Sequence, residues 1–196
     1  LTGLTAGFTV LTSQKFGAGK MDEMRQSVGN AAILSIIISM IMTAVSMVGM
    51  RALLTLMHTP EDIFNDAYTY IMIICGGIFA QVLYNILASI LRALGNSKTP
   101  LYFLILAALL NVALDLIFII AFHMGVAGAA WATITAQGVS GALCLVYIIK
   151  CVPELRLKSN DWRLRPEIAR KEILVGIPMG LQYSITAIGT MMVQSA

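Results

Sequence analysis

Long uncharged apolar runs alternate along this chain with short polar gaps. Leu1–Gln14, Gln26–Met50, Ala67–Leu91 and Ile173–Ala196 contain no charged residue. Between Lys98 and Lys150 lie 51 residues with one charge, Asp115. That stretch is too long for one membrane crossing, which takes about 20 apolar residues, and suits two, broken at His123-Met124-Gly125. The pattern predicts helices over 1–16, 30–54, 66–92, 100–122, 126–149 and 173–196. The runs are continuously apolar rather than alternating, which argues against a transmembrane barrel. The fold class expected is an all-α, polytopic membrane helix bundle.

Composition sharpens that picture. Of 196 residues, 58% are hydrophobic and 12% charged, with a mean hydropathy of +0.84. A soluble domain carries about 25% charged residues. A cytosolic enzyme, a disordered tail and a disulfide-stapled secreted domain are thereby excluded. Cys75 and Cys144 lie in apolar runs and Cys151 just after one, without CxxC spacing; they read as polarisable packing residues. The chain begins inside an apolar stretch without a basic flank and stops at Ala196 with no polar tail, so it reads as an internal piece of a longer protein rather than as a signal-bearing precursor.

The net charge of +3 matters through its placement. A nucleic-acid binder would cluster Lys and Arg on a soluble face, and no nucleic-acid partner is expected. Twelve of the 13 basic residues fall in the first, third and fifth connections, and only Arg51 in the second. The positive-inside rule therefore puts connections 15–29, 92–99 and 150–172 in the cytoplasm of a cell (inner or plasma) membrane. In the longest of these, the alternation Trp162-Arg163-Leu164-Arg165 points to a segment lying against anionic membrane lipids. Pro166 reads as the start of the helix entering the last run.

Ten acids are present, and nine lie in connections or at span ends. Asp115 alone sits mid-span, where a charge costs a few kcal/mol and needs a reason: a structural hydrogen bond to a neighbouring helix or, the reading favoured here, an ion or proton site. Asn111 precedes it by one turn on the same helical face. The next helix carries Thr133 and Gln137, with Ala129 one turn before them. Antiparallel pairing would bring carboxylate, amide, hydroxyl and backbone carbonyl together. Those are hard oxygen ligands, suited to Na⁺ at Asp115, Asn111 and Thr133, or to a proton. Cation and proton would compete for one carboxylate, as exchange of an ion gradient against cargo requires.

Other polar residues are candidates for a cavity lining: Gln81, Asn85 and Ser89, spaced four apart on the third helix, with Gln137 and Gln182. The small-residue rows Gly128/Ala132/Ala136 and Gly3/Gly7 read as close helix packing. Pro178, with Gly176 and Gly180, predicts a bend in the last helix. Gly17-Ala18-Gly19-Lys20 fails as a phosphate loop, since position 14 is Gln and position 21 is Met. His58 and His123 lie outside the spans without a metal-ligand partner. A single intramembrane carboxylate cannot make an aspartyl protease. An enzyme is not expected, nor is a cofactor beyond the coupling ion.

Several stretches then converge on one family. Arg92-Ala93-Leu94-Gly95-Asn96-Ser97-Lys98-Thr99-Pro100, Leu110-Asn111-Val112-Ala113-Leu114-Asp115 and Gly125-Val126-Ala127-Gly128-Ala129-Ala130-Trp131-Ala132-Thr133 resemble the multidrug and toxic compound extrusion (MATE) exporters. So do Gln14 with Gly17-Ala18-Gly19, and Gly176-Ile177-Pro178. The resemblance runs in order along the whole chain. It implies twelve helices in two six-helix lobes, of which this chain would hold helices two to seven. Residues 1–150 would be five spans of the first lobe, 151–172 the inter-lobe linker, and 173–196 the first helix of the second lobe.

The family's cation site maps onto Asn111, Asp115 and Thr133, with the Ala129 carbonyl. Its usual further Asp, on the first helix, is not in this sequence, and no acid follows Glu172 on the seventh. The function implied is cation-coupled export, by Na⁺ or H⁺, of amphipathic organic compounds in alternating access, with the rest of the transporter chain as partner. A lipid-linked oligosaccharide precursor flippase of the same superfamily is the alternative. It would favour a basic cavity, whereas these spans hold no mid-membrane Lys or Arg. An uncoupled channel or receptor bundle is the other.

Overall fold

A computed structural model of the protein describes residues 2–56 and 61–195; His58 lies outside the described residues. Seven α-helices follow in order among the described residues: α1 Thr2–Gly17, α2 Met21–Leu56, α3 Glu61–Gly76, α4 Ile78–Ala93, α5 Lys98–Leu116, α6 Gly125–Cys151 and α7 Pro166–Ser195. No strand occurs among the described residues. Met21–Arg51, Lys98–Ala121 and Gly125–Cys151 are each long and apolar enough to cross a membrane. The pair Ile63–Gly76 and Ile78–Ala93, bent by 46°, makes up to a fourth such span among the described residues.

Where the boundaries differ from expectation, hydropathy had marked only the apolar part of a longer helix. α2 starts at Met21 rather than 30, because Asp22 and Glu23 suit a helical first turn. Connection 15–29 shrinks to 18–20, turned by Gly19 at φ 72°. At 36 residues, α2 extends about 54 Å, well beyond an apolar bilayer core of about 30 Å. α7 begins at Pro166 instead of 173, where proline costs no helical hydrogen bond. The expected single helix 66–92 is bent between Gly76 and Ile78, where a Cβ on Gly77 would collide with Ile134 of α6. α5 ends in a π-helical turn, Ile117–Ala121. His123 (φ 53°) and Gly125 (φ 56°) then turn the chain at the expected break.

Two compact units divide the residues. The first comprises Leu1–Ser35, Asn85–Ser97 and Leu145–Ala196. Its core includes Phe8, Met24, Val28, Ile90, Leu91 and Ile148. α1 crosses α7 with almost no space between backbones. A Cβ on Gly3 would lie 2.7 Å from the Met179 carbonyl, one on Gly7 would strike the Gly176 Cα, and one on Gly180 would press on Leu4. The glycines the sequence grouped as packing and bending residues thus face one another. α7 continues as a helix through Pro178. In α1, Thr5, Thr9 and Ser13 return their hydroxyls to their own helix, at Thr2, Ala6 and Val10 carbonyls.

The segment between α6 and α7 is fixed to α2 by Asn30. This fully buried side chain donates to the Gln26 carbonyl (2.9 Å) and the Arg163 carbonyl (3.3 Å), and accepts from the Arg165 backbone N–H at 2.8 Å. Beside it, Gly29 admits the Asp161 backbone carbonyl. Asn30→Ala leaves two part-buried backbone groups, the Arg163 carbonyl and the Arg165 N–H, without this partner and is expected to cost about 1–3 kcal/mol. Faster proteolysis of 152–165 in the variant, with the remaining helices intact, is the readout.

The second unit comprises Ile36–Tyr84 and Lys98–Cys144. Gly128, Ala132, Ala136, Ser140 and Cys144 are all buried, so the predicted small-residue row of α6 is a packing face two turns longer than expected. Ser140 donates to the Phe103 carbonyl of α5 at 3.0 Å, and Tyr84 to the Pro100 carbonyl at 2.9 Å. Apolar side chains remain outward along α2, α5 and the π-helical turn that follows it, among them Met40, Val48, Leu109 and Ile120. Such continuous outward apolar surface fits a lipid environment rather than water.

Candidate functional site: the Asn111–Asp115–Thr133 cluster

In the second unit, α5 and α6 run side by side and bring together the four residues the sequence singled out. One helical turn separates Asn111 from Asp115, and the Asn111 amide donates to Asp115 Oδ2 at 2.8 Å. The Thr133 hydroxyl, from α6, lies 3.0 Å from the Ala129 carbonyl and 3.5 Å from Asn111 Oδ1. Carboxylate, amide oxygen, hydroxyl and main-chain carbonyl therefore share one locus.

The arrangement is under-satisfied. Asp115 Oδ1 is buried and has no hydrogen-bond partner, and Gln137 Oε1, one turn beyond Thr133, is in the same position. A buried acceptor without a donor costs about 1–3 kcal/mol, more when charged. Every atom presented here is an oxygen or an amide, and such acceptors can take a hydrogen-bond donor, a proton or a hard cation. The π-helical turn that follows Asp115 alters the local carbonyl register, with the Phe122 N–H bonding back to Ile117 at 3.1 Å. Such turns concentrate at functional sites.

The cavity-lining candidates are dispersed. Gln81 is exposed on α4, Asn85 half-buried, and Ser89 buried, where it accepts from Arg92 at 2.9 Å. Ser89 borders a cavity of 240 Å³ with Ala6, Thr9, Val10, Ser13, Arg92 and Ala93; Gln81 and Asn85 do not line it. Gln182 is exposed on α7. Cys75 and Cys144 are buried and Cys151 is exposed, and none forms a disulfide among the described residues.

One polar group went unrecognised in the sequence. Glu172, grouped there with the acids at span ends, is completely buried in the first unit. The Ser27 hydroxyl, itself within 3.0 Å of the Thr12 hydroxyl, donates to its Oε1 at 2.9 Å. Burial pushes this carboxyl up to about 8, against which the Ser27 bond acts only partly. Its position at the start of an apolar run made it look like a boundary charge. The helical spacing of Glu172 with Ala169 and Gly176, both of which are buried, was the available signal.

The chain's likeness to known proteins follows the same lines. The family model MatE matches residues 1–117. The chain belongs to the MatE family. It is 34% identical to the probable multidrug resistance protein YpnP of Bacillus subtilis over its whole length, covering 43% of that protein. The probable multidrug resistance protein NorM of Thermotoga maritima is 28% identical across 98% of the chain, which covers 42% of it. Among solved structures, an inward-facing multidrug resistance MATE transporter superposes with a TM-score of 0.85 at 26% identity, over 92% of this chain and 41% of that one. A MATE in complex with MaL6 gives 0.91 at 25% identity, over 99% and 43%. This MatE-family chain thus spans less than half the length of these relatives. Its family is one of multi-pass membrane transporters rather than an enzyme class.

Proposed function

We propose that the chain forms the larger part of the first lobe of a cation-coupled exporter of amphipathic, often cationic, organic compounds. The observation that carries the reading is the buried, unpartnered Asp115 Oδ1 among the Asn111, Thr133 and Ala129 oxygens, in a family whose relatives are named for multidrug resistance. In this mechanism Na⁺ or H⁺ from outside enters the cluster as co-substrate. Asp115 supplies the charge, and Asn111 and Thr133 orient it. Ala129 adds a carbonyl.

Occupation shifts the packing of α5 on α6, and cargo leaves outward as the lobe rocks against the remainder of the transporter. Residues 1–150, 151–172 and 173–196 then serve as first-lobe spans, inter-lobe linker and first helix of the second lobe. The basic connections face the cytoplasm across the inner or plasma membrane, against its anionic lipids.

The test is reconstitution of the complete transporter in vesicles with a fluorescent cationic dye. The dye is expected to accumulate against its gradient when a Na⁺ or H⁺ gradient is imposed, and to equilibrate when ionophores collapse it. Movement only down the dye gradient, indifferent to ionophores, would make it a channel. Failure with dyes but turnover of a lipid-linked sugar would favour the flippase.

A further inference from the structure

The Asp115 cluster leaves Glu172 without a role, although it is the most deeply buried acid of the first unit and one of its oxygens, Oε2, has no partner. Three hydroxyl and carboxyl groups stand in series here: Thr12 on α1, Ser27 on α2 and Glu172 on α7. Their separations are 3.0 Å and 2.9 Å, and none is more than 1% exposed. Ser27 also borders an open cavity of 660 Å³, which is lined on α1 by Lys15, on α2 by Glu23 and Gln26, on the connecting segment by Arg163 and Arg165, and on α7 by Glu167 and Lys171. The buried carboxyl is thus one hydroxyl away from water.

We propose that Glu172 is a second proton-binding site of this transporter, sharing no residue with the Asp115 cluster and loaded from that cavity through the Ser27 hydroxyl. The step balances simply. A hydronium in the cavity gives its proton to Ser27 Oγ, and Ser27 passes its own proton to the Glu172 carboxylate. The neutral acid forms and the hydroxyl is regenerated. Release is the reverse, and Thr12 keeps Ser27 hydrogen-bonded in either sense of the chain.

The charged groups around the cavity do not neutralise Glu172. Lys15 is taken by Glu23, Lys20 also pairs with Glu23, and Arg25 pairs with Asp22. Arg163, Arg165, Glu167 and Lys171 line the cavity without an ion pair among the described residues, and none pairs with Glu172. Burial therefore dominates and keeps the acid protonated at neutral pH, with half-titration at about 8. Because the cavity is built from the basic connections, the site takes its proton from the side those connections assign to the cytoplasm. A proton held there is available to be displaced when α1, α2 and α7 repack.

Infrared difference titration of the complete transporter tests this. A buried protonated-carboxyl carbonyl band is expected at neutral pH, lost as the pH rises through about 8 and absent from Glu172→Gln. Ser27→Ala should keep the band and move its titration upward, since the Ser27 bond is what holds the value down. In vesicles, Glu172→Gln should lose the step in efflux rate on cytoplasmic-side titration while the dependence on external ions persists.

A wild type without the band at neutral pH, or a titration unchanged in Glu172→Gln, overturns the proposal. So does a Ser27→Ala titration that stays in place or moves down. The transport role rests on the export reading; the band does not. Failure of transport alone strikes the former, and failure of the titration strikes the latter.

Discussion

Asp115→Asn is expected to abolish ion-driven efflux while leaving the helix pair intact. Asparagine matches aspartate in volume and can still accept the 2.8 Å bond from the Asn111 amide, so α5 and α6 need not repack. What disappears is the charge. A unit charge at about 3 Å from a cation contributes on the order of 5 kcal/mol at an effective dielectric of about 20. Even if half of that is recovered from the amide dipole, cation affinity falls about a hundredfold. The same change removes the one carboxylate of α5. The measurement is ionophore-sensitive dye efflux in vesicles, at matched membrane abundance of the two proteins. Efflux at the wild-type rate would remove Asp115 from the coupling machinery. Thr133→Ala deletes one neutral ligand and should weaken coupling far less, by about tenfold at most.

The candidate site was legible in the sequence because a charge inside an apolar run is costly, and the i, i+4 spacing of Asn111 and Asp115 puts both on one helical face. Antiparallel pairing across the His123-Met124-Gly125 turn then left little freedom about which residues of α6 would meet them. The second polar centre was far less legible, for the converse reason. Glu172 adjoins a charged stretch, and charge at a span end is ordinary. Only the tertiary approach of α1 and α2 removes it from water. Asn30 carries no local signal either, since a lone Asn at the edge of an apolar run fits a helix start as well as a clamp on a segment 133 residues away.

Helix boundaries failed for a related reason. Hydropathy locates the part of a helix that lipid can hold, and Met21 to Gly29 and Pro166 to Glu172 are helical because of first-turn acids, a proline and tertiary packing. The bend at Gly77 likewise depends on Ile134, a residue of another helix.

Gly7→Leu is expected to be the most damaging substitution in the first unit. Gly7 was legible as a small-residue position, but the severity of the change comes from what faces it. Its missing side chain is replaced not by a flexible neighbour but by backbone, the Cα and N–H of Gly176 and, at 3.2 Å, the Val175 carbonyl. A leucine there has no rotamer that avoids α7. The helices must separate by roughly the thickness of a side chain, which strips contacts from Phe8, whose ring lies against Gly176. Overpacking costs about 1–3 kcal/mol where side chains can yield, and here the obstacle cannot, so the upper end applies.

At about 2–4 °C per kcal/mol for a chain of this size, the thermal midpoint in detergent should fall by roughly 6–12 °C. Gly7→Ala, with only a Cβ, should show a smaller drop of the same sign. Gly17→Ala is the control, because nothing lies within 4 Å of its added Cβ, and it should leave the midpoint unchanged or slightly raised. Equal stability of Gly7→Leu and the wild type would mean that α1 and α7 do not cross at this point. Separation of α1 from α7 also lets water reach Glu172, so the Gly7→Leu protein should lose the elevated carboxyl titration along with its stability.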